Sequence, residues 1–420
     1  MSGHDEPLTD LGAVLFASLP RSDQRRMART YVRGLLTTRG RKSFRNMAYS
    51  LGGPRLEQSL HHFVSCSTWD WTPVTRAVAD IMMPVAPPRA WVLRPLVTQR
   101  EGESTVGVHK RFFAGSGQVL NAQYAVGLWA ASPVLSYPLV WRLLLPPEWL
   151  QDEARRVRAS IPDGFTPETP VECAVGAYLG LPADLRGRLP VVMDVCGIDT
   201  AVAVHRLRAA RLPFLVRAYR GLHLTAADPG LPGYGAGPLP MYQILAAAKA
   251  PRVPVAARAP DRGIPDVRPE AGGAPPAPLP GGEEPPRGLV AAVRVRSPHH
   301  PVRPGGRDGH HDPYDLLLFR TRTDTRHRPD EVWLTNMLDA DPATLLSLTA
   351  LPHRVDDSFE RVTGCLGMRD FTGRSYGGWN RHATLASAAH AVALHSHGPA
   401  DLPFGRTFAA EPGHLSVSGV

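Results

Sequence analysis

The sequence predicts a mixed α/β fold, a sheet covered by helices, with a small helical domain ahead of it and a proline- and glycine-rich stretch within it. Three features carry this expectation. Apolar residues recur at helical spacing through residues 1–90. β-rich runs follow and give way to alternating strand and helix. Residues 251–313 then lose all periodicity. With 420 residues, 43% of them hydrophobic, the chain is long enough for two or three domains, each with a core.

Within residues 1–90, Met27, Tyr31 and Leu35 form one row, flanked by Ala28, Val32 and Leu36. Side chains four residues apart lie one turn above each other, so the two rows make an apolar stripe. Ser22 is placed to cap this helix, and Thr72 ahead of Pro73 to cap another. A hydroxyl can accept a free first-turn N–H, and proline at the start of a helix loses no bond. Between them the spacing predicts a helix from Ser43 to the stop at Gly52-Gly53, and one over 55–64.

Residues 91–228 read as the first part of the sheet. WVLRPLV, STVGVHKRFF, QVLNAQYAVGLWAA and LVWRLLL are strand-like, two of them joined across Gly115-Ser116-Gly117. A helix near 172–181 precedes PVVMDV, a buried strand ending in an acid. TAVAVHRLRAARL reads as a helix and FLVRAY as a strand. Residues 229–313 read as an insert or linker, because their composition offers too little apolar surface for a core. In 314–397, YDLLLFRTRT and EVWLTNML restore strand texture, with helices over 342–362 and 379–395. Residues 398–420 read as a loose tail.

Lysine plus arginine exceed aspartate plus glutamate by nine, and the only lysines are Lys42, Lys110 and Lys249. Such an arginine excess favours a polyanionic partner, with compositional bias as the plain alternative. Cys66, Cys173, Cys196 and Cys365 are scattered and form no CxxC pair, which excludes a zinc knuckle or a disulfide framework. The acidic N-terminus does not resemble a secretory signal, and no apolar run approaches a membrane span. The expectation is a soluble, cytoplasmic protein with no membrane partner.

Arg21, Arg25, Arg26, Arg29, Arg33, Arg39, Arg41, Lys42 and Arg45 crowd one stretch that holds a single acid, Asp23. Of these, Arg25, Arg29, Arg33, Arg41, Lys42 and Arg45 are the candidate contacts to DNA phosphates, with a solvated helix face as the alternative. Asp194 ends an apolar strand, where an unpaired carboxylate is costly. A metal ion would meet it, and so would an arginine such as Arg206 or Arg217. Asp356, Asp357 and Glu360 cluster on a helix, Asp356 and Glu360 on one face. The doublets His61-His62, His299-His300 and His310-His311 have no partner motif. Phe63, Trp69 and Trp71 read most simply as core.

Several stretches together resemble one family: RGLLTTRGRKSFRNMA, QSLHHFVSCSTWDW, TVGV, LNAQYAVGLW, WRLLLPPEW, VVMD and GMRDFTGRSYGGWNRHATLASAAHAV. In this order they resemble the DDE transposases of insertion sequences, of the 701 type. The resemblance covers about residues 11 to 395, apart from the proline-rich stretch.

The resemblance implies a ribonuclease-H-like core in which three carboxylates hold two Mg²⁺ ions for phosphoryl transfer on double-stranded DNA. It also carries the expectation of a homo-oligomer. Asp194 matches the second carboxylate. At the first, where the family has an aspartate, WVLRPLV has Arg94. At the third, a glutamate in the family, Asp356 stands three residues before Phe359, with Asp357 as the alternative register. Glu101 and Glu103 belong to the turn after the first strand and not to its core position. The resemblance with these departures implies a transposase-like DNA-binding protein with impaired catalysis. An active, Mg²⁺-dependent transposase is the alternative.

Overall fold

A computed structural model describes residues 5–113, 117–187, 189–194, 199–219, 221–248, 288–298, 314–322 and 331–397. The chain divides into two compact units, one of Met1–Val216 with Ala350–Val420, the other of Arg217–Thr349. No helix among the described residues is long and apolar enough to cross a membrane.

The first unit starts with α1 (Asp5–Leu15), α2 (Ser22–Thr37), α3 (Phe44–Leu51), α4 (Arg55–His61) and α5 (Thr72–Val85). Tyr31, Val32, Leu35 and Leu36 are buried along α2 as the stripe requires. A Cβ added at Gly34 would lie 2.9 Å from Met47 Sδ, so this glycine lets α3 pack tightly on α2. Ser43 caps α3 by accepting the Asn46 N–H at 3.2 Å. The two other expected caps shift by one residue. Ser22 and Thr72 are already helical, Gln24 Oε1 accepts the Arg21 N–H at 3.4 Å, and Asp70 Oδ1 accepts the Thr72 N–H at 2.9 Å. An acceptor from a neighbouring side chain takes the place of the hydroxyl.

The sheet follows: β1 (Ala90–Gln99), β2 (His109–Phe113), β3 (Gln118–Ala131) and β4 (Ser136–Leu143). The short helices α6 (Pro147–Gln151) and α7 (Glu153–Arg158) and then α8 (Pro170–Leu179) lead to β5 (Val191–Met193), α9 (Thr200–Ala209) and β6 (Phe214–Arg217). β1 lies antiparallel to β3 and parallel to β5, and β5 is parallel to β6. β2 and β4 pair antiparallel with successive stretches of β3. An antiparallel meander feeding parallel strands through a helical crossover is the ribonuclease-H-like arrangement. The turn expected at Gly115-Ser116-Gly117 falls mostly outside the described residues, but the Phe113↔Gln118 register confirms the hairpin.

Pro95 sits inside β1, where a central strand ordinarily excludes proline. The Trp91 N–H donates to Pro190 O, so the N–H groups at 91 and 93 face β5. Pro95 is next in that series and has none to give. The β1–β5 register accordingly ends at Leu93↔Met193, one position before Arg94 in the middle of β1 and Asp194 just past β5.

The second unit contains β7 (His223–Ala226), β8 (Leu239–Pro240), α10 (Met241–Ala247), β9 (Gly288–Arg296), β10 (Leu316–Arg322) and β11 (Glu331–Thr335). Residues 229–313 were expected to build no core, yet α10 and β9 lie within them. Ile244, Val293 and Val295 are buried, because GLVAAVRVR alternates at strand period and pairs with both β7 and β10. The rest of 251–313 lies outside the described residues.

α11 (Pro342–Glu360) and α12 (Tyr376–His397) close the described chain. Within the first unit, α12 packs on α1, α2, α5 and β4, so the N-terminal helices share its core with the sheet. The segment before α12 ties this core together. Arg100 donates to the carbonyls of Arg369 and Phe371 at 2.9 and 2.8 Å, and Asp370 accepts the Lys42 N–H at 2.7 Å. Gly367 adopts φ 70°, and a Cβ there would overlap the Lys42 side chain. The tail, 398–420, lies outside the described residues.

Candidate functional site

Three residues singled out from the sequence come together where the β1–β5 pairing stops, in the middle of β1 and at the carboxyl end of β5. Arg94 and Asp194 directly follow the last paired positions of two parallel neighbours. Asp356 reaches them from α11, with its Oδ1 2.8 Å from Arg94 Nε. The Nε–H is not aligned on that oxygen, so the contact is an ion pair and not a hydrogen bond. The guanidinium also lies over the Phe359 ring, 5.1 Å from its centroid. Phe359 is one turn on from Asp356, and its burial holds that face of α11 against the sheet.

The cluster is larger than these three. His353 Nδ1 stands 4.0 Å from Asp356 Oδ2, and Arg369 stacks on Phe359 while approaching Glu360 to 3.8 Å. Burial raises the Asp356 carboxyl above the usual carboxylate range. Arg94 and His353 draw it down, and Asp194 and Asp357 push it up. Asp357 is exposed beside Asp356. Burial likewise lowers the Arg369 guanidinium, which Glu360 stabilises and Arg94 repels. His353 and Arg369 were not singled out from the sequence. A signal was present in the i, i+3 spacing of His353 and Asp356, and in the arginine of GMRD.

Other candidates pair elsewhere. Arg206 meets Glu172, and Arg217 stands 3.8 Å from Glu331. Glu103 faces Arg155 at 3.8 Å in an exposed loop, outside the cluster. Among the described residues no group of three or more His, Cys, Asp or Glu side chains could hold a metal ion. The resemblance implies a carboxylate bridging two dications at the position of Arg94, and a guanidinium does not fit such a pair. At a few ångströms and an effective dielectric near 20, each cation–dication repulsion costs roughly several kcal/mol.

The basic cluster divides in two. Arg33, Arg41 and Arg45 are exposed, and Arg45 lies over the exposed Tyr49 ring at 5.9 Å. Arg25 instead donates to the carbonyls of Leu19 and Pro20 at 2.5 and 3.2 Å. Arg29 is half-buried, its Nε out of solvent. Lys42 is 6% exposed and its ammonium donates to Thr38 O. The expectation that Lys42 faces a phosphate therefore meets a side chain already committed to the interior. Phe63 and Trp69 stack at 5.3 Å in the core, and Arg381 lies over Trp69 and Trp71. His61 and His62 are exposed, and the other two histidine doublets lie outside the described residues.

No curated protein matches the chain. A family model described as a DDE superfamily endonuclease matches residues 14–265, which is more than half of the sequence. The match spans the N-terminal helices, Arg94 and Asp194, and stops before Asp356. Together with the sheet order and the convergence of Arg94, Asp194 and Asp356, it means that this chain belongs to the DDE superfamily of endonucleases.

Proposed function

We propose that the chain is an insertion-sequence transposase of the 701 type that retains binding to double-stranded DNA and has lost most of its strand-cleavage activity. The observation that carries this reading is the Arg94–Asp356 ion pair beside Asp194. A tethered cation stands where the reaction of this superfamily needs a carboxylate to help hold divalent metal, so the protein neutralises its own remaining acids. DNA binding is supported by Arg33, Arg41 and Arg45, the exposed ones among the candidate DNA contacts, with Arg21, Arg26 and Arg39 of the same cluster also exposed.

One observation favours an active enzyme instead. Asp356 and Asp357 stand on α11 close enough to Asp194 for its charge to act on Asp356, so carboxylates of the kind that ligate divalent metal are still brought together. Metal-dependent nicking of DNA carrying the element's ends separates the two readings. The native chain is expected to show none, whereas robust Mg²⁺- or Mn²⁺-dependent nicking that disappears in Asp194→Ala would overturn the impaired reading. Arg94→Asp should add a thermal shift with Mn²⁺ that the native chain lacks, since it turns a repelling charge into a ligand.

A further inference from the structure

β2 is an edge strand, and its hairpin with β3 presents an unusual surface. Phe112 and Val119 are opposite each other in the register and are 60% and 65% exposed. Lys110 and Asn121 form the next pair on that face. Arg111 belongs to the other face, its guanidinium 5.2 Å from the centre of the Tyr124 ring. The base of the ribbon is anchored, because the Asn121 amide donates to Arg100 O at 2.9 Å and to Gly102 O at 3.2 Å. An edge strand with an exposed aromatic and an exposed β-branched residue is an aggregation hazard unless something covers it.

The charge of the ribbon indicates what covers it. From Ser104 to Pro147 the sequence contains no aspartate or glutamate, while Lys110 and Arg111 directly precede Phe112. The acids at the ribbon's base are Glu148, near His109, and the exposed Glu101 and Glu103 on either side of the Gly102 that Asn121 bonds. A face with Lys110 beside an apolar pair, on a ribbon with no carboxylate of its own, complements a polyanion that also offers apolar surface. Duplex DNA does so at its base steps, and a two-stranded ribbon fits a groove.

We infer that the β2–β3 ribbon is a DNA-contacting element, in which Phe112 and Val119 wedge against a base step while Lys110 reaches a phosphate. This rests on the DNA-binding reading above and adds a second contact to that of α2 and α3. Such a wedge unstacks bases and bends the duplex, so it contributes affinity without adding to counterion release.

The test uses the full chain and a short mixed-sequence duplex carrying 2-aminopurine at pyrimidine–purine steps. Phe112→Ala is expected to weaken binding about tenfold, in the range of lost aromatic–base stacking, and to leave the salt slope unchanged. It should also abolish the rise in 2-aminopurine fluorescence. Lys110→Ala is expected to reduce the salt slope by about one. Because both side chains are exposed, thermal unfolding of each variant serves as the check that folding is retained. Unchanged affinity and fluorescence in Phe112→Ala overturn the inference while the DNA-binding reading stands. A change in oligomeric state with unchanged DNA affinity overturns it too, and makes the edge a contact between copies of this chain. If the native chain binds no duplex, both readings fail together.

Discussion

Arg33, Arg41 and Arg45, on and between α2 and α3, are exposed, whereas Arg94, Arg100 and Arg381 around the sheet and α12 are largely withdrawn from solvent and each held by carbonyls, a carboxylate or aromatic rings. The two sets share a chemistry and differ in what their charge does. An exposed guanidinium keeps its hydration and costs little to keep, so it can be reached by a mobile polyanion. A buried one has lost water and must recover it from fixed partners, so removing it leaves those partners unsatisfied. The difference teaches that arginine content alone says little about function in this chain.

The largest expected effect lies in the buried set. Arg381 is 8% exposed and donates to Val64 O at 2.9 Å and Trp69 O at 3.2 Å. Arg381→Ala orphans both carbonyls and empties the space over two tryptophans, so chemical denaturation should report a loss of roughly 2–4 kcal/mol. A loss too small to measure would erase the contrast between the two regions.

Acid should attack the same region next. Burial lowers the imidazoles of His382 and His390 from 6.5 to about 4. His382 Nε2 lies 3.0 Å from Gly367 O, which only accepts, so Nε2 carries the proton and Nδ1 accepts from the Tyr31 hydroxyl at 2.8 Å. With folded values below the unfolded one, the unfolded state takes up protons first. Stability is therefore full above about pH 6.5 and falls as pH drops towards 4, by about 3 kcal/mol for each ring. Urea midpoints across that window check this, and a flat profile would contradict it.

The exposed set should respond to salt instead. Arg33→Ala, Arg41→Ala and Arg45→Ala combined should reduce the logarithmic salt slope of DNA binding by roughly 3 and leave thermal unfolding nearly unchanged. Lys42→Met is the counterpart. Its ammonium already bonds Thr38 O, so the expected result is altered stability with an unaltered salt slope. The opposite pattern would mean that Lys42 belongs with the exposed cations.

The smallest effect is expected at Arg76, an exposed arginine that meets Asp80 and Asp184 at 2.7 Å. Arg76→Ala should leave the unfolding midpoint unchanged within error, since exposed pairs repay little beyond the cost of ordering them. A clear drop would extend the structural role of arginine to the surface.

Most of the element order was legible in the chain, because local spacing specifies it. The α2 stripe, the stop at Gly52-Gly53 and the order from β1 to β6 all follow from period and turn residues. What failed was reading composition as structure. GLVAAVRVR alternates well enough to pair on both sides, but its proline- and arginine-rich neighbours concealed it. The site was legible only in part. Arg94, Asp194 and Asp356 were named, and their pairing was not. Residues 94 and 356 meet only when β1 and α11 pack, and no local pattern encodes a contact across that separation.

Local sequence thus determined that Arg94 lies within an apolar strand, that Asp194 follows another, and that residues 21 to 45 carry many cations. Only the tertiary packing decided which of those charges are exposed. It turned Lys42 and Arg25 inward, left Arg33, Arg41 and Arg45 in solvent, and set Arg94 against Asp356. The physical reason is that strand and helix formation are settled by neighbours a few residues away. The energy of a charge depends on solvent exposure and on partners hundreds of residues distant, which only the assembled core supplies.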